Sequence, residues 1–141
     1  MRRVLGLGAV LLAVAVAAVA PTGAQAAKPE LTEIATGEAN DFRATITATK
    51  VAAAEQGAPP GATATVEAFQ RNGDTWTSVG KLPIGDEPWF WFVLTDLGAV
   101  CEFAVSDTPR PEVSVKLLVT PSVECAEVAR FQVENGKLVE G

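Results

Sequence analysis

The side chains that could support catalysis are few, because the 141-residue sequence contains no histidine. A Ser/His/Asp or Cys/His nucleophile, a His-ligated zinc or haem, and a histidine pH switch all need an imidazole, so each is excluded. The carboxylates of Asp86, Glu87, Asp96 and Glu102 could bind calcium or form a pair for glycoside hydrolysis. Their spacing lacks the Asp-rich pattern of a calcium loop, which favours solvated loop charges. We therefore predict a protein that is not an enzyme and has no metal or cofactor.

The tryptophans are the one concentration of binding chemistry in the sequence. Trp89 and Trp91 are two residues apart on a predicted strand, so they would share a face with their rings about 7 Å apart. If that face is exposed, the two indoles form a platform for a sugar ring or a partner's side chain. The sequence favours the other interpretation, in which one face of residues 89–94 lies in the core and the other is covered by loops, because immunoglobulin-like sandwiches commonly bury a central tryptophan. A second aromatic pair, Phe69 and Trp76, is predicted to lie together on the non-aliphatic face of a hairpin.

Arg110 stands in the short segment Asp107-Thr108-Pro109-Arg110-Pro111, where two prolines restrict the backbone. An arginine exposed on such a rigid loop is suited to entering an acidic pocket of a target enzyme. The segment therefore supports an alternative function as a small secreted inhibitor or inter-organism effector.

The only cysteines, Cys101 and Cys125, are predicted to form one disulfide. Closing a loop of roughly 25 residues contributes roughly 3.5 kcal/mol in the chain-entropy model. A redox function is not expected, because the Cys-x-x-Cys spacing is absent. We expect Cys101 to point inward with Phe103 and Val105, so that the bond holds residues 121–128 against the core.

The N-terminus has the pattern of a secretory signal peptide. Basic residues at Met1–Arg3 precede an apolar run from Val4 to Ala20, and small residues stand at Ala24 and Ala26. We predict cleavage after Ala26. The alternative is an uncleaved anchor, although about 20 apolar residues are typical of a membrane span. The leader's Ala-rich and Val-rich composition resembles that of exported proteins from GC-rich Gram-positive bacteria.

Removal of residues 1–26 leaves about 115 residues, the size of one domain. Residues 27–40 are predicted to be a polar, partly flexible segment, and residues 41–141 a single all-β domain, with the folded unit beginning near Leu31 or Phe42. Without the leader's two arginines, the net charge becomes about −8. Such a surface repels phosphate backbones and anionic lipids, so we expect no nucleic-acid partner and no membrane insertion after cleavage. The expected location is extracellular or in the cell-envelope space.

The hydrophobic pattern is that of β-strands. Apolar and polar side chains alternate from Phe42 to Thr49, which predicts a half-buried strand. Asn72-Gly73 is the strongest hairpin signal, because a type I′ turn needs positive φ at both positions. With these two residues as the loop, Phe69 is predicted to face Trp76 directly.

Further strands follow at short intervals. Residues 89–94 are apolar on both faces, which predicts a central strand. Alternation recurs in residues 101–105 and 113–119, and a last strand begins at 131–133. About seven strands without intervening helices predict a small antiparallel β-sandwich of the immunoglobulin-like type with one disulfide; a small β-barrel is the alternative.

A secreted, non-catalytic β-sandwich with aromatic side chains is expected to be an extracellular binding or interaction module with a protein or glycan target. The inhibitor or effector function and an envelope-associated structural accessory domain are the alternatives. The candidate binding residues are Phe69, Trp76, Trp89, Trp91 and Arg110.

Overall fold

The structure is a computed structural model that describes residues 30–53, 55–85, 89–120 and 123–141. In chain order its elements are β1 (Leu31–Ala39), β2 (Phe42–Val51), β3 (Gly61–Asn72), β4 (Thr75–Pro83), β5 (Trp89–Phe90), α1 (Trp91–Leu94), β6 (Val100–Ser106), β7 (Glu112–Thr120), β8 (Val123–Cys125), β9 (Ala129–Glu134) and β10 (Lys137–Glu140). The predicted signal peptide lies outside the described residues. Within the described ranges, no helix has the length and apolar character needed to cross a membrane.

The strands form two antiparallel sheets. In the first sheet the order is β1-β2-β3-β4, and β5 also pairs with β3. In the second sheet the order is β10-β9-β7-β6, and β8 also pairs with β7. The prediction of an all-β fold is confirmed, and the described strands show no closure into a barrel.

The first sheet begins at Leu31. β1 pairs with β2 from Leu31 opposite Thr49 to Ala39 opposite Phe42. Residues 31–39 of the predicted polar segment 27–40 thus form a strand, whose pairing shifts register between Glu33 and Ala35. Their polar composition follows from their position, because β1 is an edge strand with one side open to solvent.

The core confirms the predicted period of two. Alternate side chains of β2 and β7 are at most 1% exposed: Phe42, Ala44, Ile46, Ala48, Val113, Val115 and Leu117. Buried residues of both sheets belong to one apolar cluster. Each large aliphatic or aromatic side chain buried there contributes roughly 1.5–3 kcal/mol, so the shared core holds the two sheets together.

The apolar segment 89–94 is not a continuous central strand, contrary to the prediction. Trp89–Phe90 forms the short strand β5, and the chain then turns into the single helical turn α1. Trp91 and Leu94 are 5% and 0% exposed, whereas Phe92 is 66% exposed. Residues three apart share a face of a helical turn, so this run buries its apolar side chains with helical spacing. A short apolar run is ambiguous between strand and helix in the sequence alone.

β4 and β5 occupy the same edge position along β3. β4 ends at Pro83 opposite Thr65, and β5 pairs with the first two residues of β3. Between them, Ile84 N still donates to Ala64 O at 2.8 Å. This interrupted edge brings the aromatic side chains of β5 beside the start of β3.

The β3–β4 hairpin turns one residue later than predicted. Asn72 pairs with Thr75, so the two-residue loop is Gly73-Asp74 rather than Asn72-Gly73. Gly73 has φ +65°, and Asp74 is not among the residues with positive φ. This pattern fits a type II′ turn, which has glycine first, and excludes type I′.

The direct pairing of Phe69 with Trp76 is wrong for the same reason. Trp76 lies opposite Arg71, and Phe69 lies opposite Ser78. The pairing is shifted by two residues, and because side chains alternate with a period of two, each aromatic keeps its face. Phe69 and Trp76 therefore still lie together on the outer face of the first sheet, as diagonal neighbours.

Two glycines allow the edges of the sheets to approach each other. A Cβ at Gly37 of β1 would lie 2.9 Å from Phe103 Cε1 of β6. A Cβ at Gly80 of β4 would lie 2.9 Å from Leu138 Cβ of β10. At both edges, a side chain of the second sheet thus packs against a glycine of the first sheet and occupies the space that a side chain there would need.

Cys101 and Cys125 form the predicted disulfide, with their Cα atoms 6.4 Å apart. The bond joins β6 to β8, which both flank β7. Cys101 falls at a bulge in β6, and Val100 packs against the core together with Phe103.

Candidate functional site

The outer face of the first sheet carries a tryptophan patch, formed by Trp76, Phe69, Arg43 and Arg71. Arg71 of β3 lies opposite Trp76 of β4, and Arg43 of β2 lies opposite Phe69 of β3. These two rows adjoin near the hairpin tip, so the four side chains share one surface. Both aromatic side chains are partly exposed.

Two guanidinium groups lie against the indole of Trp76. The Cζ atoms of Arg43 and Arg71 are 4.2 Å and 4.7 Å from the ring centroid. Each cation–π contact of this kind contributes about 0.5–1 kcal/mol at an exposed site. Arg43 also pairs with Glu38, and Arg71 Nε lies 3.8 Å from Asp41 Oδ1. The patch therefore holds an aromatic ring and two cations in fixed positions on an otherwise acidic protein.

Trp89 and Trp91 do not form the exposed platform that was the first hypothesis for them. Their side chains are 6% and 5% exposed, and they lie on different elements, β5 and α1. Trp89 Nε1 donates to Ile84 O at 3.4 Å, and Lys50 Nζ lies 5.6 Å from the Trp91 ring centroid. Both tryptophans are core residues, as the burial of a central tryptophan in immunoglobulin-like sandwiches led us to expect.

Arg110 lies in the β6–β7 connection on the opposite sheet from the tryptophan patch. Its Nη1 donates to Gln132 Oε1 at 3.2 Å and lies 3.9 Å from Glu134 Oε1. The side chain is exposed, but its charge is engaged by β9. The geometry does not present it as a free projecting arginine.

An apolar pocket of about 320 Å³ opens at the start of β3. It was not predicted from the sequence, because its walls come from the β2–β3 connection and from β5, which meet only through the pairing of β5 with β3. The lining residues are Val51, Ala52, Ala53, Ala58, Pro59, Gly61, Trp89 and Phe90. Every lining side chain is apolar, and four of these positions are alanine or glycine.

Among the described residues, five of the six large apolar side chains that are strongly exposed lie around the same end of the first sheet, which we term the apolar end; the sixth, Val128, lies between β8 and β9. Leu31 begins β1 and Val51 ends β2, and they are 58% and 45% exposed. Phe90, Phe92 and Leu97, on β5, α1 and the following turn, are 45%, 66% and 104% exposed. An exposed apolar cluster of this kind marks an interaction site more often than scattered single residues do.

The sequence also contains the spacing Ser78-x-x-Lys81, which resembles a motif in which a lysine activates a serine. Ser78 Oγ donates to Glu67 Oε1 at 2.9 Å, and no contact among the described residues joins Ser78 to Lys81. Both residues stand on an open strand surface without a cleft. In the described part of the chain, no group of three or more His, Cys, Asp or Glu residues could hold a metal ion.

Comparison with known proteins identifies no relative: no family model, no curated protein and no solved structure matches this chain. A function for the protein must therefore be inferred from the geometry of its own surfaces.

Proposed function

We propose that this protein is an exported, non-catalytic binding module with an immunoglobulin-like β-sandwich fold, and that it recognises a protein partner through the tryptophan patch. The observation that carries the proposal is the placement of Trp76 on the outer face between the guanidinium groups of Arg43 and Arg71. Tryptophan and arginine are the residue types most enriched among the side chains that dominate binding energy at protein interfaces.

The arrangement favours a protein partner over a glycan. A pyranose ring binds an indole by stacking on its face, and the guanidinium groups compete for that surface at 4.2 Å and 4.7 Å from the centroid of Trp76. A protein surface can instead contact the ring edge and Phe69 while a carboxylate approaches the arginines. Such a contact joins apolar burial to charge-assisted hydrogen bonds, which are stronger than neutral ones.

The sandwich assignment is supported by contacts at both edges of the sheets. Gly37 lies against Phe103 at one edge, and Gly80 lies against Leu138 at the other. Together with the shared core, these contacts fit two sheets stacked face to face, as in immunoglobulin-like domains.

Export is supported by chemistry that suits an oxidising compartment. The disulfide between Cys101 and Cys125 is compatible with secretion, because such bonds persist outside the reducing cytosol. The signal-peptide pattern of residues 1–26 agrees with this location.

In the test, wild-type protein and the Trp76→Ala variant are immobilised separately. Proteins extracted from the surface and medium of the source cells are passed over each, and the binding of every retained protein to the two is compared. A specific partner should bind the Trp76→Ala variant at least about 30-fold more weakly, because about 2 kcal/mol is typical for the truncation of a central interface residue. Arg71→Ala should weaken binding of the same partner.

Phe92→Ala is the matched control, because it removes an aromatic side chain that is 66% exposed at the distant apolar end. Binding should be unchanged in this variant. If every retained protein binds wild type and Trp76→Ala equally well, the patch is not the binding site. If a glycan array instead shows binding that depends on Trp76, the target class is a glycan.

The inhibitor hypothesis gains no specific support, because Arg110 is engaged by Gln132 and Glu134. It stays a prediction, as does the envelope-associated structural function.

A further inference from the structure

We infer that the apolar pocket at the start of β3 is a binding site for a small, uncharged, apolar ligand, separate from the tryptophan patch. Its volume of about 320 Å³ lies at the lower end of the range for ligand sites, which is roughly 300–1,000 Å³. At about 30 Å³ per water molecule, the space corresponds to about ten waters. A ligand of that size is a short branched or ring-containing hydrocarbon group rather than a long acyl chain.

The walls select against charge. None of the lining residues that the structure describes carries an ionisable side chain. The one polar side-chain group, Nε1 of Trp89, already donates to Ile84 O at 3.4 Å and is not available to a ligand. A charged ligand would lose its hydration without gaining a partner, whereas an apolar ligand loses only apolar surface exposed to water.

Two of the lining residues, Gly61 and Ala58, are small. Gly61 is the first residue of β3, and a Cβ there would lie 3.5 Å from Trp89 O and 3.9 Å from Val51 Cβ. These are ordinary van der Waals separations, so a Cβ fits at this position without clashing. Gly61 also lacks a positive φ, so no backbone reason demands glycine. Ala58 is exposed and leaves the entrance open.

The two residues of β5 contribute differently to the site. Trp89 is 6% exposed and packed in the core, so it anchors β5 beside β3, whereas Phe90, the next residue, is 45% exposed. The half-exposed ring of Phe90 can close over a bound group. This combination resembles ligand sites, which are concave and lined by apolar and aromatic side chains.

The experiment uses 1-aminonaphthalene, a neutral two-ring probe whose emission changes in an apolar environment. We expect saturable binding at one site by fluorescence. In ¹H–¹⁵N NMR spectra, the amide signals of Ala52, Ala58, Gly61 and Phe90 should shift, while that of Gly136 in the β9–β10 turn should not. Shifts spread over all exposed apolar residues, or no saturable binding up to the solubility of the probe, would refute the site.

Two substitutions fill the pocket from different sides. Gly61→Val places a β-branched residue in a strand, and Ala58→Leu enlarges an exposed loop residue, so the two variants place different demands on folding. Each variant should bind the probe at least tenfold more weakly than wild type, while thermal unfolding shows that its domain is intact. Binding within twofold of wild type in either folded variant contradicts the inference.

Three controls separate this pocket from general stickiness. Gly98→Val makes the same change as Gly61→Val at a position where a Cβ would meet nothing within 4 Å. Phe92→Ala removes the exposed ring of α1, which is not a lining residue. Both variants should bind the probe within twofold of wild type, and 1-naphthoate, a carboxylate of similar shape, should bind wild type at least tenfold more weakly. If Phe92→Ala loses as much affinity for the probe as Gly61→Val does, or if wild type binds 1-naphthoate more tightly than the neutral probe, the assignment of the site is overturned.

Discussion

Replacing Gly80 with alanine tests whether β4 and β10 lie as close together as the structure places them. A Cβ on this residue would lie 2.9 Å from Leu138 Cβ and 3.3 Å from Leu138 N. Carbon atoms in contact are normally about 3.5–4.0 Å apart, so the strands would have to separate by roughly 0.6 Å or more. The obstacle is a backbone-proximal carbon and a main-chain nitrogen, neither of which can rotate away.

The expected loss of stability has two sources. Forcing an extra methyl group into a packed contact costs about 1–3 kcal/mol. Gly80 also has φ +150°, a conformation that disfavours any residue with a Cβ, at about 1–2 kcal/mol. Together they predict that Gly80→Ala lowers the free energy of unfolding by about 3 kcal/mol.

Three other glycines separate these two sources. Gly73 has φ +65° and open space around its Cβ position, so Gly73→Ala should cost about 1 kcal/mol from conformation alone. Gly37 lacks a positive φ, but its Cβ would lie 2.9 Å from the ring edge of Phe103. Because a ring edge can shift, Gly37→Ala should cost about 1–2 kcal/mol. Gly98 has neither obstacle, and Gly98→Ala should be neutral or stabilising by about 0.5 kcal/mol.

Urea unfolding followed by tryptophan fluorescence measures all four variants, because Trp89 and Trp91 are buried and change environment on unfolding. The order of destabilisation should be Gly80, then Gly37 and Gly73, then Gly98. If Gly80→Ala costs no more than Gly73→Ala, the close approach to Leu138 does not exist in solution. The contact between β4 and β10 that supports the proposed sandwich would then be refuted.

Three further predictions concern the core, the disulfide and the patch. Val115→Asp buries a charge at a position that is 0% exposed, so it should lower the free energy of unfolding in urea by at least about 3 kcal/mol. Lys116→Asp, on the outer face, should lower it by less than about 1 kcal/mol, and equal effects would refute the register of β7. Replacing Cys101 and Cys125 together by serine should cost roughly 3.5 kcal/mol and lower Tm by roughly 10–15 °C in calorimetry, and an unchanged Tm would contradict a stabilising bond. Iodide should quench a protein that retains only Trp76 more strongly than proteins that retain only one of the other tryptophans, and equal quenching would place Trp76 in the core.

The sequence correctly predicted the features that depend on the alternation of side chains along a single strand. The buried face of β2 and the outward face of Trp76 follow from a period of two, which survives even an error in pairing. The Phe69–Trp76 register was wrong by two residues, yet the face was right because two is the period of a strand. An error of one residue would have placed Trp76 in the core.

What the sequence could not predict depends on contacts between distant elements. Arg43 stacks on Trp76 across an intervening strand, and this contact follows only from the order β2-β3-β4. The apolar pocket requires β5 to pair with the start of β3 after an interruption of the edge. In the sequence Gly80 stands between Val79 and Lys81 without any distinguishing pattern, and only the position of Leu138 on the other sheet gives it a role.

The two proposed sites lie at opposite ends of β3, and this separation makes them independent. Gly61 at the pocket and Arg71 at the tryptophan patch are ten residues apart on one strand, or about 33 Å at about 3.3 Å per residue. Substitutions farther apart than about 10 Å without shared partners have additive effects on stability. A protein carrying both Gly61→Val and Trp76→Ala should therefore lose stability equal to the sum of the single variants within about 0.5 kcal/mol, and each substitution should weaken binding only at its own site. A larger coupling would show that the first sheet transmits a change from one end to the other, so that occupation of the pocket could regulate the patch.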